Sequence, residues 1–305
     1  MTRPGSPQPD PSAIQNIAKA PFVRLPDPAA IFAERAARFR KLAEASDLGP
    51  YLRFLAAVCD IQHGAQAGLA APKLPDAEAL ERAERHAMPP IDRAGLVPDA
   101  GLYRLLERVI SAAGEIEAPP AAAEALARLR AAGAEARTAM VRNVLMDAIP
   151  FDAIAEHALV AAALQVHFAR LAAGLDPERL KPVADGVCPC CGGAPSASLV
   201  VGWPRADGSR YCACSLCGTC WNYVRAKCTL CGSTKDISFR EVEGSGGTIK
   251  AEVCGACNGY VKVLYQQKSP GLDPIADDVA SLGLDLLVRE LGFRRGAVNP
   301  FLTGY

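Results

Sequence analysis

The chain has 305 residues, 50% of them apolar, and its 33 basic and 33 acidic side chains cancel. That length suits about two domains of roughly 150 residues each, and the zero net charge gives no global attraction to nucleic acid or to an anionic membrane. No apolar run reaches the roughly 20 residues of a bilayer-spanning helix; the best candidate, residues 158–164, runs into Gln165, His167 and Arg170.

Residues 1–25 read as a disordered tail, with Pro4, Pro7, Pro9 and Pro11 among Ser and Gln. They lack the apolar stretch of a signal peptide, so a cytoplasmic protein is expected. Pro26-Asp27-Pro28 then opens a helix, with Asp27 at the N-cap and Pro28 in the first turn. Ile31, Phe32, Phe39, Leu42 and Ala43 follow at helical spacing, and Asp47-Leu48-Gly49-Pro50 breaks the pattern. The next helix carries Leu52, Leu55, Val58 and Cys59 on one face. Residues 71–100 are rich in proline and hold one short helix near 77–86. Leu102, Leu105, Leu106, Val109 and Ile110 mark an amphipathic helix. Further helices are expected from Pro119-Pro120 through Ala132, over 136–149 and over 152–173. With no period-2 alternation in 26–175, this half reads as an all-α bundle of about six helices.

Residues 174–186 form a linker, after which alanine thins and Cys, Gly, Val, Thr and Tyr rise. Strand-like runs follow at 196–203, 221–224, 237–242, 248–253 and 260–265. Gly-containing turns at Asp207-Gly208 and at 244–247 set one hairpin in each half of this region. Asp273-Pro274 opens a last helix through Ile275, Val279, Leu282, Leu286 and Leu287 to Gly292. Residues 299–305 read as an extended tail.

Eleven of the twelve cysteines lie between Cys188 and Cys257. Four C-x-x-C pairs recur there with a period of 40 residues: Cys188 to Cys228, Cys191 to Cys231, Cys214 to Cys254 and Cys217 to Cys257. The stretch is an internal duplication, and each copy carries four thiols. In a reducing compartment such pairs read as metal ligands or redox thiols before structural disulfides. The tight turn between paired thiols lets both face one cation, with Gly192 and Gly232 supplying the left-handed residue. The predicted ligand sets are Cys188, Cys191, Cys214 and Cys217 for one metal, and Cys228, Cys231, Cys254 and Cys257 for a second. An interleaved arrangement, first pair with third and second with fourth, is the alternative.

Cys190, Cys212 and Cys220 have no counterparts 40 residues on, where Leu230, Glu252 and Tyr260 stand. They read as non-ligands, or as exchange thiols beside a metal, and Cys220 could form a rival knuckle with Cys217. Cys59 reads as a small buried apolar residue. Spacing alone favours structural zinc, although tetrahedral sulfur suits zinc and iron alike. Arg210, Arg225, Lys227, Lys235, Arg240 and Lys250 could offset the charge of four thiolates on a divalent ion, or form an ordinary solvated face. His63, His86, His157 and His167 lie outside the cysteine block without ligand spacing. No Gly-rich phosphate loop, H-E-x-x-H or G-x-S-x-G occurs, and no acid–base pair stands out, so a non-enzyme is expected.

The chain resembles the FdhE family, the formate dehydrogenase accessory (formation) proteins. Arg35-Ala36-Ala37-Arg38 through Leu48-Gly49-Pro50-Tyr51-Leu52-Arg53-Phe54 is similar to its N-terminal signature. Cys188-Pro189-x-Cys191-Gly192, Arg210-Tyr211, Cys214-Ser215-Leu216-Cys217, Trp221, Val224-Arg225, Lys227-Cys228 and Cys231 resemble its rubredoxin-like knuckles. Ile249-Lys250-Ala251-Glu252, Cys254, Cys257, Tyr260-Val261-Lys262, Leu264-Tyr265-Gln266, Ala276-Asp277-Asp278, Ser281-Leu282 and Asn299-Pro300-Phe301 complete the likeness. The resemblance implies a cytoplasmic maturation factor that binds the catalytic subunit of a respiratory formate dehydrogenase and is needed for its activity. It also implies rubredoxin-like sites, which favours iron, with zinc as the alternative. A rubredoxin-like one-electron carrier is the competing function; a zinc ribbon for nucleic acid fits the neutral charge poorly. The expected fold is α+β: an N-terminal all-α helical bundle over 26–185, two tandem rubredoxin-like or zinc-ribbon four-cysteine modules over 186–226 and 227–268, and a C-terminal helix and tail over 269–305.

Overall fold

The computed structural model of the protein describes residues 20–303. Most of the tail expected over 1–25 lies outside the described residues; Val23–Arg24, near its far end, forms strand β1. Seven α-helices follow among the described residues: α1 (Ile31–Ala43), α2 (Gly49–Gly64), α3 (Ala77–His86), α4 (Ala100–Ala113), α5 (Pro120–Ala131), α6 (Ala134–Leu145) and α7 (Ile154–Ala173). The helix after Asp27 starts later than expected. Asp27 takes the Ala29 N–H at 2.9 Å and so closes a separate turn ahead of α1. Conversely, Gly49-Pro50 belongs to α2, because proline suits a first turn, where no N–H partner is needed.

The bundle is built around α7. That helix is apolar nearly all round, with Leu159 through Leu164, Val166, Phe168, Ala169, Leu171 and Ala172 buried, as befits a helix enclosed by others. Helices α2, α4, α5 and α6 pack on it, while α1 packs on α2. Helix α4 shows the logic: Leu102, Leu105, Leu106, Val109, Ile110 and Ala113 recur every three or four residues, and all are buried. No helix among the described residues is long and apolar enough to cross a membrane.

The cysteine region folds as β2 (Pro195–Val200), β3 (Arg210–Cys214), β4 (Cys220–Tyr223), β5 (Ile237–Arg240), β6 (Ile249–Cys254) and β7 (Gly259–Tyr265). Strand β3 was absent from the sequence-based expectation, since Arg210-Tyr211-Cys212-Ala213-Cys214 is short and does not alternate cleanly. The 40-residue period would have revealed it as the counterpart of β6. Each copy is a three-stranded antiparallel meander. The copies merge into one sheet of order β1-β4-β3-β2-β7-β6-β5. The seam is parallel: Ser198, Leu199 and Val200 of β2 register with Val263, Leu264 and Tyr265 of β7.

The last helix is broken in two. Helices α8 (Ala276–Ala280) and α9 (Leu282–Glu290) meet at Ser281, whose hydroxyl bonds the Asp277 carbonyl at 2.7 Å and accepts from Lys262 Nζ at 2.9 Å. Arg294–Arg295 adds β8 beside β7. Of the extended tail expected over 299–305, residues 304 and 305 lie outside the described residues, and 299–303 form turns instead. Phe301 and Leu302 are buried, and the Phe301 carbonyl accepts from Tyr51 Oη at 2.7 Å.

Charged contacts join these parts. Arg35 and Arg38 of α1 pair with Asp273 and Asp277, Arg38 Nε lying 2.8 Å from Asp277. Arg210 of β3 meets Glu252 of β6 at 2.9 Å, both buried, and so ties one copy to the other. Beneath β7, Lys262 and Arg295 lie against Asp278 and Asp285, with Asn299 Nδ2 2.8 Å from Asp278 and Tyr260 Oη 2.8 Å from Asp285. Burial alone would push the Asp278 carboxyl up, but Lys262 and Arg295 outweigh it and hold its pKa below the usual range. A carboxyl depressed in this way contributes stability above its unfolded pKa of about 3.9 and loses it as the pH falls through the folded value. Asp278→Asn is therefore expected to cost about 3 kcal/mol near neutral pH, because it leaves buried cations short of a partner. Denaturant melts should show the gap to wild type closing below about pH 4; a gap independent of pH would rule out the charge of Asp278 as its origin.

Candidate metal centres

Each C-x-x-C pair sits on a tight turn with repeating geometry. In the first copy Gly192 N–H donates to the Cys188 carbonyl at 2.9 Å, and Cys188 N–H to the Gly193 carbonyl at 2.9 Å. In the second copy Gly232 N–H donates to the Cys228 carbonyl at 3.0 Å and Cys228 N–H to the Ser233 carbonyl at 2.8 Å. Gly192 and Gly232 take φ of +73° and +71°, a region costly for a residue with a Cβ. The second knuckle of each copy has the same need, met by Gly218 at φ +75° and Asn258 at φ +53°. Asparagine tolerates that region better than most residues. This pair also lies 40 residues apart, so the period itself carried the signal.

The turns bring the predicted thiols together in sequential sets. Cys188, Cys191, Cys214 and Cys217 place their sulfurs within 4.8 Å of one another, and so do Cys228, Cys231, Cys254 and Cys257. The sulfur separations are 3.6 Å for Cys188–Cys217 and for Cys191–Cys214, 3.9 Å for Cys228–Cys257 and 3.8 Å for Cys231–Cys254. A tetrahedron with metal–sulfur bonds of about 2.3 Å has edges of about 3.8 Å, whereas a disulfide needs about 2.05 Å. The residues present therefore fit a tetrathiolate metal centre. Backbone N–H groups aim at the sulfurs: Leu216 and Cys217 at Cys214, and Leu230 at Cys228, each at 3.4 Å. Such donors help hold the negative charge of bound thiolates.

The two sets differ in surroundings. All four thiols of the first are buried, within the same apolar core as the helices. In the second, Cys231 is exposed and Cys257 half-buried. The helical half also grips the first set directly. Gln165 of α7 donates to the Ser215 carbonyl at 2.7 Å, between Cys214 and Cys217, and Gln62 of α2 supports Gln165 at 3.0 Å. Ile91 N–H donates to the Cys190 carbonyl at 3.0 Å. Sequence reasoning took Gln165 only as an interruption of an apolar run; a glutamine inside a helix that buries every side was the available signal. A groove of about 730 Å³ between α1 and the sheet passes Arg24, Lys41, Trp203 and Cys220 and reaches Cys214.

The remaining thiols lie outside both sets. Burial pushes the Cys59 thiol up to about 12 and Cys212 to about 11, which keeps both protonated and unreactive. Cys190 is buried beside the first set, and Cys220 is half-buried on β4. The nearby cations are largely occupied elsewhere: Arg210 by Glu252, Lys227 by Asp185 at 2.7 Å, and Lys250 by Glu241 at 3.1 Å. His157 is buried against the Ala153 carbonyl and Asn143, and His167 packs edge-on to Phe168. Neither joins a thiol group.

Cys214→Ser and Cys231→Ser should each remove one equivalent of bound metal. Only the first should also speed amide exchange along α7, because only its centre is part of the helical core. Metal analysis with hydrogen exchange checks this; equal exchange in both variants would uncouple the first centre from the bundle.

Comparison with known proteins accounts for nearly all of the described chain. Residues 20–185 match the family model "FdhE, N-terminal", residues 187–225 "FdhE, central domain" and residues 226–302 "FdhE, C-terminal domain". The "Protein FdhE homolog" of Rhizobium meliloti is 50% identical over 98% of both chains. That of Stutzerimonas stutzeri is 36% identical over 93% of both. The crystal structure of the FdhE protein from Pseudomonas aeruginosa superposes with a TM-score of 0.81 at 31% identity, covering 93% of this chain and 99% of that one. Family models spanning both halves, together with these full-length relatives, place the chain in the FdhE family.

Proposed function

We propose that this chain is a cytoplasmic accessory protein that binds the immature catalytic subunit of a respiratory formate dehydrogenase, and that Cys188, Cys191, Cys214 and Cys217 hold one iron while Cys228, Cys231, Cys254 and Cys257 hold another. The observation that carries the reading is the pair of converging four-thiol sets in a member of the FdhE family. Four thiolates saturate a tetrahedral ion and leave no open position for substrate, which supports a binding role over catalysis. Iron in such a site supplies a one-electron couple, whereas zinc is structural only. The chain's own contribution is to link the first set to the bundle through Gln165 and Ser215, so that its occupancy bears on the shape of the helical surface.

The exposure of Cys231 favours a second reading, a one-electron carrier whose second centre exchanges electrons at the surface. Metal analysis and a visible spectrum on protein purified without oxygen separate the readings. About two irons with a colour that dithionite bleaches are expected; two zincs and no colour would remove the redox element and leave partner binding alone. In a capture assay with the dehydrogenase catalytic subunit, wild type should retain it and Cys214→Ala/Cys217→Ala should lose most of it. Equal capture would take the first centre out of recognition, and no capture by either would end the partner assignment.

A further inference from the structure

The two centres are duplicates in their ligands but not in what touches them. In the first, Thr219 Oγ lies 3.1 Å from Cys217 Sγ and 3.3 Å from Cys190 Sγ. Thr219 and Cys190 are both fully buried. The corresponding positions in the second copy, 40 residues on, are Gly259 and Leu230. They face each other in the same way: a methyl group built on Gly259 would meet Leu230 Cδ1 at 2.5 Å and Cys257 Sγ at 3.2 Å. One copy therefore fills this corner with a hydroxyl and a thiol, and the other with a leucine and no side chain.

We propose that Cys190 and Thr219 form a hydrogen-bond relay onto the Cys217 thiolate, which sets the electronic character and metal retention of the first centre apart from those of the second. The proposal rests on the tetrathiolate reading above. Once Cys217 binds a metal ion its sulfur can only accept, so the Thr219 hydroxyl donates to it. The hydroxyl oxygen is then free to accept from the Cys190 thiol, and both protons point down the chain towards the sulfur. The relay matters because of burial. Four thiolates on a divalent ion carry a net charge of about −2, and with all four thiols of the first set buried little of it is shared with solvent. At the second set the exposed Cys231 can be solvated instead. A donor to a coordinating sulfur draws charge from it and lowers its affinity for a proton, which slows protonation and loss of that ligand and stabilises a reduced over an oxidised ion. Cys190 and Thr219 are thus positioning residues, and Cys190 is neither a fifth ligand nor a stray thiol.

Cobalt(II) is the probe, since its thiolate charge-transfer absorption reports on the sulfurs whatever the native metal is. In the cobalt-loaded full chain, Thr219→Val should move the absorption of one of the two centres to lower energy. It should also release one equivalent to a chelator on the order of tenfold faster, and Thr219→Ser should restore both readouts. Cys190→Ala should shift the same band less, with Cys190→Ser restoring it; this pair decides the matter if Thr219→Val does not fold. Unchanged bands in variants that bind two cobalt ions, or a shift that the serine variants fail to rescue, would overturn the relay alone. Failure of the wild type to take up cobalt would overturn the tetrathiolate reading and the relay with it.

Discussion

The convergence of Cys188, Cys191, Cys214 and Cys217 inside the helical core is the constraint on which the rest of the architecture depends. The knuckles are short turns with few apolar side chains of their own. What holds them in the fold is their own backbone hydrogen bonds and the grip of α7 and the 89–93 loop from outside. Gln165 is costly to bury unless its amide is satisfied, and it finds its partners in Gln62 and the Ser215 carbonyl. A polar side chain that would otherwise weaken the bundle therefore fixes where the sheet attaches to it.

The second copy shows what the same ligand framework becomes without that embrace. Its apolar support is a small cluster of Ala251, Val253, Tyr260, Leu284 and Val288. Below that cluster the weight falls on the buried cations and carboxylates around Lys262. Ion pairs of this kind add little against a well-packed apolar alternative, yet breaking one side of them is expensive. They fix geometry more than they add stability, and here they fix how α8, α9 and Asn299 seat beneath β7.

Much of this was legible in the sequence. The grouping of eight thiols into two converging sets followed from spacing, and the all-α character of the first half followed from its 3.6-residue periodicity. Several residues that pointed to the family turn out to be contacts between distant segments: Arg38 with Asp277, Tyr51 with Phe301, Arg210 with Glu252, and Lys262 with Asp278. Their identity was readable, but their pairing was not, because long-range contacts leave no local pattern. Strand β3 was missed since cysteines and a buried arginine hide its alternation. The burial of Phe301 and Leu302 was missed since a Pro-containing terminus gives no periodic signal. The unequal exposure of the two centres was invisible for a related reason: a duplicated sequence says nothing of which copy a third element will cover.

The parallel seam between β2 and β7 has a consequence for synthesis. As the chain leaves the ribosome, the bundle and the first meander emerge well before residues 259–265, so β2 has one edge without its partner until the second copy is complete. An unpaired strand edge is a site for wrong pairing, and contacts of large sequence separation form late. The ion pairs of α1 wait longer still, because Asp273 and Asp277 follow the seam by a further stretch of chain. An early helix can thus pack on α2 at once yet gain its ion pairs late, and a nascent chain stalled before residue 273 would carry Arg35 and Arg38 without their carboxylates.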